Sequence, residues 1–248
     1  MFTGKTAIVT GAGSGIGKAI AHAMAKRNAN TILVDIDLES GEKVSKEIKS
    51  FGNGRNLALK ADVSNVNEVQ KVVEKVLFEF GRIDILVNNA AIGGPAVPIT
   101  DLREEDWDEV INVDLKSVFL FCKAVIGHMI ERKYGKIINI TSLAGKAGNP
   151  NLVAYSAAKA GVIGLSRSLA LWVATMGINV NSVAAGTTET PMLGTMPWDQ
   201  SEDLKRKIPM GRFARPEETA AVVCFLASDE ASFVTGQCIN ATGGRAYD

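Results

Sequence analysis

The sequence predicts an α/β protein: one domain, built as a doubly wound parallel sheet with helices on both faces. Three observations carry this. Short runs rich in Ile, Val and Leu alternate with longer amphipathic stretches along all 248 residues. Several of the short runs are continuously apolar rather than alternating, as strands covered on both faces are. No Pro/Gly/Ser-rich linker or internal repeat divides the chain, so residues 1–248 read as a single unit. Strands are expected at residues 5–10, 31–35, 56–60, 83–87, 136–140 and 178–183, with a short last one at 237–239. Helices are expected at 15–27, 38–50, 66–80, 105–132 and 151–176, and a late one opens at Pro216-Glu217-Glu218, with proline near its first turn. Asp37 is placed to cap the second helix and Ser64-Asn65 the third. The βαβ alternation implies right-handed crossovers. Residues 187–213 break the rhythm. They follow a strand but carry Pro191, Met192, Leu193, Met196, Pro197, Trp198 and Pro209, too many large apolar residues for a disordered linker. The segment reads as a partly helical flap over a ligand.

Composition narrows the function. Hydrophobic residues make up 46%, enough for a substantial core, and 27 basic residues balance 27 acidic ones. No basic stripe offers a footprint for nucleic acid. No apolar run approaches the roughly 20 residues of a membrane span, and the N-terminus has no signal-peptide pattern. Cys122, Cys224 and Cys238 are scattered and odd in number, which suits buried thiols in a reducing cytoplasm. His22 and His128 are the only histidines, so neither a zinc site nor a Ser-His-Asp triad is easily built, and no metal is expected.

The first strand ends in Thr10-Gly11-Ala12-Gly13-Ser14-Gly15-Ile16-Gly17, and a helix follows. Glycines there let the backbone turn tightly and let a pyrophosphate approach the helix N-terminus, where free N–H groups and the helix dipole favour anions. The spacing, Gly11-x-x-x-Gly15-x-Gly17, is not the usual Gly-x-Gly-x-x-Gly, and a merely tight turn is the alternative. The position between first strand and first helix favours a dinucleotide and a Rossmann-like fold. Gly11, Ser14, Gly15, Ile16 and Gly17 are the loop candidates. Asp35 ends the second strand, 18 residues after Gly17. An acidic residue there accepts from ribose hydroxyls and repels a 2′-phosphate, and its neighbour Ile36 supplies no cation. The cofactor expected is therefore NAD. The alternative for Asp35, capping the next helix, suits Asp37 better. Tyr155-Ser156-Ala157-Ala158-Lys159 lies in a helical stretch, so positions i and i+4 share a face. An ammonium beside a phenol lowers its pKa from about 10, which readies Tyr155 for proton transfer. Taken alone the pair is also compatible with an ordinary surface contact.

Together these residues resemble the short-chain dehydrogenase/reductase family over essentially the whole chain. The resemblance rests on residues 10–17, Asp62-Val63, Asn88-Asn89-Ala90, Asn112, Ser142 and the Tyr155/Lys159 pair, in the family's order and spacing. It implies that Asp62 and Val63 contact the adenine and that Asn88 and Ala90 lie along the cofactor. It implies that Ser142 holds the substrate oxygen, Tyr155 exchanges the hydroxyl proton, and Lys159 binds the nicotinamide ribose and lowers the Tyr155 pKa. Asn112 would hold a water that links Lys159 to solvent, and Thr190 would anchor the nicotinamide carboxamide, with Gly186 and Thr188 beside it. Ser142, Ala144, Tyr155, Met192, Leu193, Met196 and Trp198 would line a largely apolar substrate pocket.

Three departures stand out: Ala185-Gly186 where the family has Pro-Gly, Thr188 where it has an apolar residue, and Thr242-Gly243-Gly244 where it has Asp-Gly-Gly. The expected activity is hydride transfer between NAD(H) and a secondary alcohol or ketone, on a small-molecule substrate. Two alternatives stand beside it. One is an NADPH-dependent 3-oxoacyl-acyl-carrier-protein reductase, disfavoured by Asp35 and by the stretch Leu169-Ala170-Leu171-Trp172-Val173-Ala174, which lacks a cation for an acidic carrier. The other is a non-catalytic nucleotide-sensing scaffold, disfavoured by the presence of both Tyr155 and Lys159. Leu171 and Trp172, with the family resemblance, suggest helix pairing in a homotetramer.

Overall fold

The computed structural model describes residues 1–191, 193 and 198–245, the side chains of residues 198–200 apart. Seven parallel strands form one sheet in the order β3-β2-β1-β4-β5-β6-β7. They are β1 (Thr6–Thr10), β2 (Asn30–Asp35), β3 (Asn56–Lys60), β4 (Ile85–Asn88), β5 (Gly135–Ser142), β6 (Ile178–Ala185) and β7 (Cys238–Ala241). The helices are α1 (Gly15–Ala25), α2 (Leu38–Lys49), α3 (Val66–Phe80), α4 (Glu104–Ile111), α5 (Ser117–Arg132), α6 (Ala144–Ala147), α7 (Val153–Val173), α8 (Trp198–Arg206) and α9 (Pro216–Ala227).

Side chains alternate across each strand, so neighbours in sequence enter opposite layers. Ala7, Val9, Leu33, Ile85, Val87 and Val183 face α1, α2 and α9, where Ile20, Met24, Ile48 and Val223 meet them. Ile8, Ile32, Val34, Leu86, Ile137 and Val180 face α3, α5 and α7, against Val72, Val76, Phe121, Met129 and Val162. Strand order reverses between β1 and β4, and the two pair with Ala7 opposite Ile85 and Val9 opposite Val87. The loops leaving them diverge there, and such a switch point opens a crevice at the carboxyl ends of the strands.

Local chemistry sets the helix ends. Asp37 caps α2, its carboxylate accepting from the N–H groups of Glu39 and Ser40. Asn65 caps α3 in the same way, and Gly81 ends it in the left-handed conformation.

The structure differs from the sequence expectation in four places. β5 and β6 run on to Ser142 and Ala185, because they pair with each other past the end of their apolar runs. The single helix expected at 105–132 is interrupted by a wide π-helical turn at Asn112–Lys116, which one extra residue creates without disturbing the apolar pattern. α6 is a single turn with no periodicity to read. Finally, Val153–Met176 is long and apolar enough to cross a membrane by length and composition, contrary to the reading that no run approaches that length. Its Ala158, Val162, Ala170 and Val173 are buried within the domain, packed on the sheet and on α4. The segment expected as a flap carries α8, and its two ends are tied together. Ala214 N–H donates to Thr187 O at 3.0 Å and Glu189 N–H to Ala214 O at 2.9 Å.

Candidate active site

The glycine loop sits between β1 and α1. Gly11 has φ +61°, and a β-carbon there would lie 2.9 Å from Ala90 Cα. A β-carbon on Gly17 would fall 2.0 Å from Gly11 O. Only glycine lets the first turn of α1 lie this close to the end of β1. Ser14 occupies the N-cap of α1 but makes no side-chain cap, and the first turn holds no acidic residue. The helix therefore presents N–H groups and an uncompensated dipole to the crevice, a cradle that fits a pyrophosphate. Asp35 closes one side: its Oδ2 accepts from Gly13 N–H at 2.8 Å and its Oδ1 from Asp37 N–H at 3.0 Å. Ile36, beside it, is exposed.

Opposite the loop, Thr10 and Asn89 tie β1 to β4. Thr10 Oγ1 accepts from Asn89 N–H at 2.9 Å and Ala90 N–H at 3.0 Å, while Asn89 Nδ2 donates to Thr10 O and Gly11 O. Asn89, rather than Asn88, is the side chain that holds the glycine loop. Asn88 turns away into a buried amide chain: its Nδ2 donates to Asn139 Oδ1 at 2.8 Å, and Asn139 Nδ2 donates to Ser166 Oγ at 2.9 Å. The adjacency of two asparagines gave no means of telling which one faces which layer. Asp62 and Val63 follow β3. Asp62 Oδ1 accepts from both the N–H and the hydroxyl of Ser64, and Val63 packs among the apolar side chains against α3.

Ser142 closes β5, its hydroxyl accepting from Ala144 N–H at 3.1 Å, so Ala144 and α6 stand beside it. Tyr155 and Lys159 share a face of α7, with the Lys159 ammonium 5.4 Å from the centre of the Tyr155 ring. Lys159 is buried. Thr141 on β5 anchors the helix here by donating to Lys159 O at 2.9 Å.

Asn112 opens the π turn. Its carbonyl accepts from Ser117 N–H across that turn. The side chain that meets Lys159 is Asp114, with Oδ2 3.1 Å from Nζ. Asp114 was missed because an aspartate in a helical stretch gives no sign of burial.

Beyond β6, Ala185 occupies a ladder position opposite Ser142 and Ala241, and Gly186 N–H donates to Ala241 O at 2.9 Å. Strand pairing thus fixes the turn that proline would otherwise restrict. Thr188 is buried and donates to Gly186 O at 2.9 Å. The Thr190 side chain lies against Gly15, 3.2 Å from the site of a β-carbon there. Leu193 N–H donates to Thr190 O. Met192, Met196 and the Trp198 side chain lie outside the described residues. A cavity of about 360 Å³ opens on the other side of Gly186, lined by Thr187, Ile208, Arg212, Glu218 and Thr242, and includes neither Ser142 nor Tyr155.

The family described as enoyl-(acyl carrier protein) reductase matches residues 11–246. The chain is 44% identical to the 3-oxoacyl-acyl-carrier-protein reductase of Thermotoga maritima, over 97% of each chain. It belongs to the short-chain dehydrogenase/reductase family. Another member, the cis-4-hydroxycyclohexanecarboxylate dehydrogenase of Sinomonas cyclohexanicum, is 40% identical over 98% of this chain and 97% of its own. The crystal structure of levodione reductase superposes with a TM-score of 0.97 at 34% identity, covering 100% of both chains. As a short-chain dehydrogenase/reductase, the protein is an oxidoreductase that transfers hydride with a nicotinamide cofactor, and the glycine cradle fits that cofactor's pyrophosphate.

Proposed function

We propose that this enzyme interconverts a secondary alcohol and a ketone with NAD(H), and that Tyr155 transfers the proton. The observation that carries the reading is the Tyr155/Lys159 pair on one face of α7, with Lys159 tied by its carbonyl to Thr141 of β5, the strand that Ser142 closes. The nicotinamide, when bound, supplies the hydride chemistry; the chain supplies position and electrostatics. Ser142 holds the substrate oxygen by a hydrogen bond. Tyr155 removes the hydroxyl proton in oxidation and returns it in reduction. Lys159 binds the ribose and favours the phenolate by its charge. Gly186, Thr188 and Thr190 border the nicotinamide, Asp62, Val63 and Ala90 the rest of the cofactor, and Ala144 and Leu193 the substrate.

NAD is favoured over NADP because the Asp35 carboxylate stands at the loop, hydrogen-bonded to Gly13, with the exposed Ile36 next to it in place of a cation. No metal enters the mechanism. Among the described residues, no three His, Cys, Asp or Glu side chains are grouped to hold one, and a chelator is expected to leave turnover unchanged. The three cysteines are free, which suits a cytoplasmic enzyme. Exposed Phe119 on α5 and Leu171 and Trp172 on α7 support homotetramer formation by helix pairing.

Reduction of a 3-oxoacyl thioester on a carrier protein is the second reading, favoured by the name of the Thermotoga maritima relative. The apolar Leu171 and Trp172 on the outer face of α7 oppose it, since an acidic carrier calls for cations. The deciding experiment supplies NAD with a panel of secondary alcohols, diols, sugars and steroids, to wild type and to Tyr155→Phe. Turnover by wild type, lost in a variant that binds NAD within a few-fold of normal, is the expected result. If Tyr155→Phe keeps a tenth or more of the turnover, the proton passes through another group.

A further inference from the structure

Asp114 is a fully buried carboxylate in the middle of a helix, a placement that costs stability unless something specific compensates it. Two partners do. Its Oδ1 accepts from Ile92 N–H at 2.8 Å, in the loop after β4. Its Oδ2 has no aligned hydrogen-bond donor and faces the Lys159 ammonium at 3.1 Å as a charge. Lys159 Nζ also reaches Ile140 O, at 3.4 Å. The π turn explains how the carboxylate gets there: the widened backbone at Asn112–Lys116 turns Asp114 inward against α7.

We infer that Asp114 is a positioning residue that clamps Lys159 and offsets part of its charge, so weakening the pull of that cation on the Tyr155 phenol. This rests on the reading of Tyr155 as the proton-transfer residue. Lys159 is thereby held at a fixed place beside Tyr155, but the phenol meets a cation–carboxylate pair rather than a lone cation. A neutral side chain at position 114 leaves the ammonium uncompensated and favours phenolate at lower pH.

The surroundings leave few other groups to set this balance. From α7, Lys159 faces Asp114, with the centre of the Tyr155 ring 5.4 Å from the ammonium. The loop after β4 contributes the Ile92 N–H, and β5 contributes the Ile140 carbonyl to Lys159. On α4, Glu104, Glu105, Asp108 and Glu109 are exposed and Asp106 is paired with Arg103. Lys116, on the π turn, is exposed, and Lys146 of α6 donates to Asn240. Burial pushes the Asp114 carboxyl upward, and Lys159 pulls it back toward the ionised form.

The test follows ionisation of Tyr155 directly, by the ¹³C resonance of its ring carbon bearing oxygen in wild type and in Asp114→Asn. Asparagine keeps the shape and an oxygen for Ile92. The expected result is that Asp114→Asn raises the Tyr155 ionisation constant about tenfold, an acidward move of about one pH unit. The acid limb of kcat/KM for alcohol oxidation moves with it. A shift below about 0.3 pH unit, or one in the alkaline direction, overturns the inference. Because the resonance needs no turnover, it is read even if Tyr155→Phe shows that the proton passes elsewhere, and the two failures stay distinct. If Asp114→Asn does not fold, the carboxyl ¹³C resonance of Asp114 in wild type decides. An ionised carboxylate at pH 7 supports the inference, and a protonated one overturns it.

Discussion

Asp35 uses both carboxylate oxygens before any cofactor arrives, one on Gly13 N–H and one on Asp37 N–H. Its charge and its hydrogen bonds can therefore be separated by substitution. Asp35→Asn keeps an acceptor oxygen for the loop and removes the repulsion of a 2′-phosphate; Ile36→Arg adds a cation at an exposed position. The double variant is expected to shift the ratio of kcat/KM for NAD over NADP toward NADP by at least about tenfold, equivalent to about 1.4 kcal/mol. Steady-state rates with each cofactor measure this, and an unchanged ratio places the ribose elsewhere. At this scale the glycine loop, Asp35 and the Tyr155/Lys159 pairing were legible in local spacing, while Ser142 was pointed to only by the family resemblance. The roles of Asn89 and Asp114 were not legible. Which of two neighbouring side chains faces the site depends on strand pairing and on one wide helical turn.

The elements around the site are held by their ends as much as by their faces. Asn65 Oδ1 accepts from Asn67 N–H at 3.0 Å and Glu68 N–H at 3.4 Å, and Glu68 Oε2 reaches back to accept from Asp62 N–H at 2.8 Å. The cap of α3 thus also positions Asp62 and Val63. Asn65→Ala is expected to lower stability by about 1 kcal/mol, read by chemical denaturation, and to weaken NAD binding, read by fluorescence titration. Loss of stability with unaltered NAD affinity would show that Asp62–Val63 does not touch the cofactor. The capping residues were readable because Asn and Asp at a helix start satisfy backbone donors that nothing else reaches. The π turn was hidden, because a single inserted residue leaves the apolar pattern on both sides intact.

For the whole molecule, two expectations follow from what is buried and what is not. His128 Nε2 accepts from Ile83 N–H at 3.3 Å, a bond only the unprotonated nitrogen can make. Burial, the largest influence, lowers the pKa of both His128 and His22 below the ordinary value of 6.5. The unfolded chain therefore takes up protons first as pH falls, and stability is expected to drop as pH falls below about 6.5. Urea midpoints at pH 7.5 and 5.5 measure this, and His128→Gln is expected to reduce the difference. The second expectation concerns assembly. Leu171 is 82% exposed and Trp172 is 56% exposed on α7. Replacing both with Lys is expected to reduce a tetramer to smaller species in light scattering behind a sizing column. An unchanged mass would move the interface to other faces.

The amino-acid sequence by itself determined the α/β class, the strand and helix order, the glycine loop and the pairing of Tyr155 with Lys159 on one helix face. Each of these is written in periodicity or in spacing within one βα unit, where chain connectivity brings the residues together. Tertiary structure alone decided that β5 and β6 extend to Ser142 and Ala185, that the Asn89 side chain locks the loop, and that Asp114 meets Lys159. Those choices follow from pairing and packing between segments distant in sequence. There the cost of burying a charge is offset only by a partner that the local pattern does not contain.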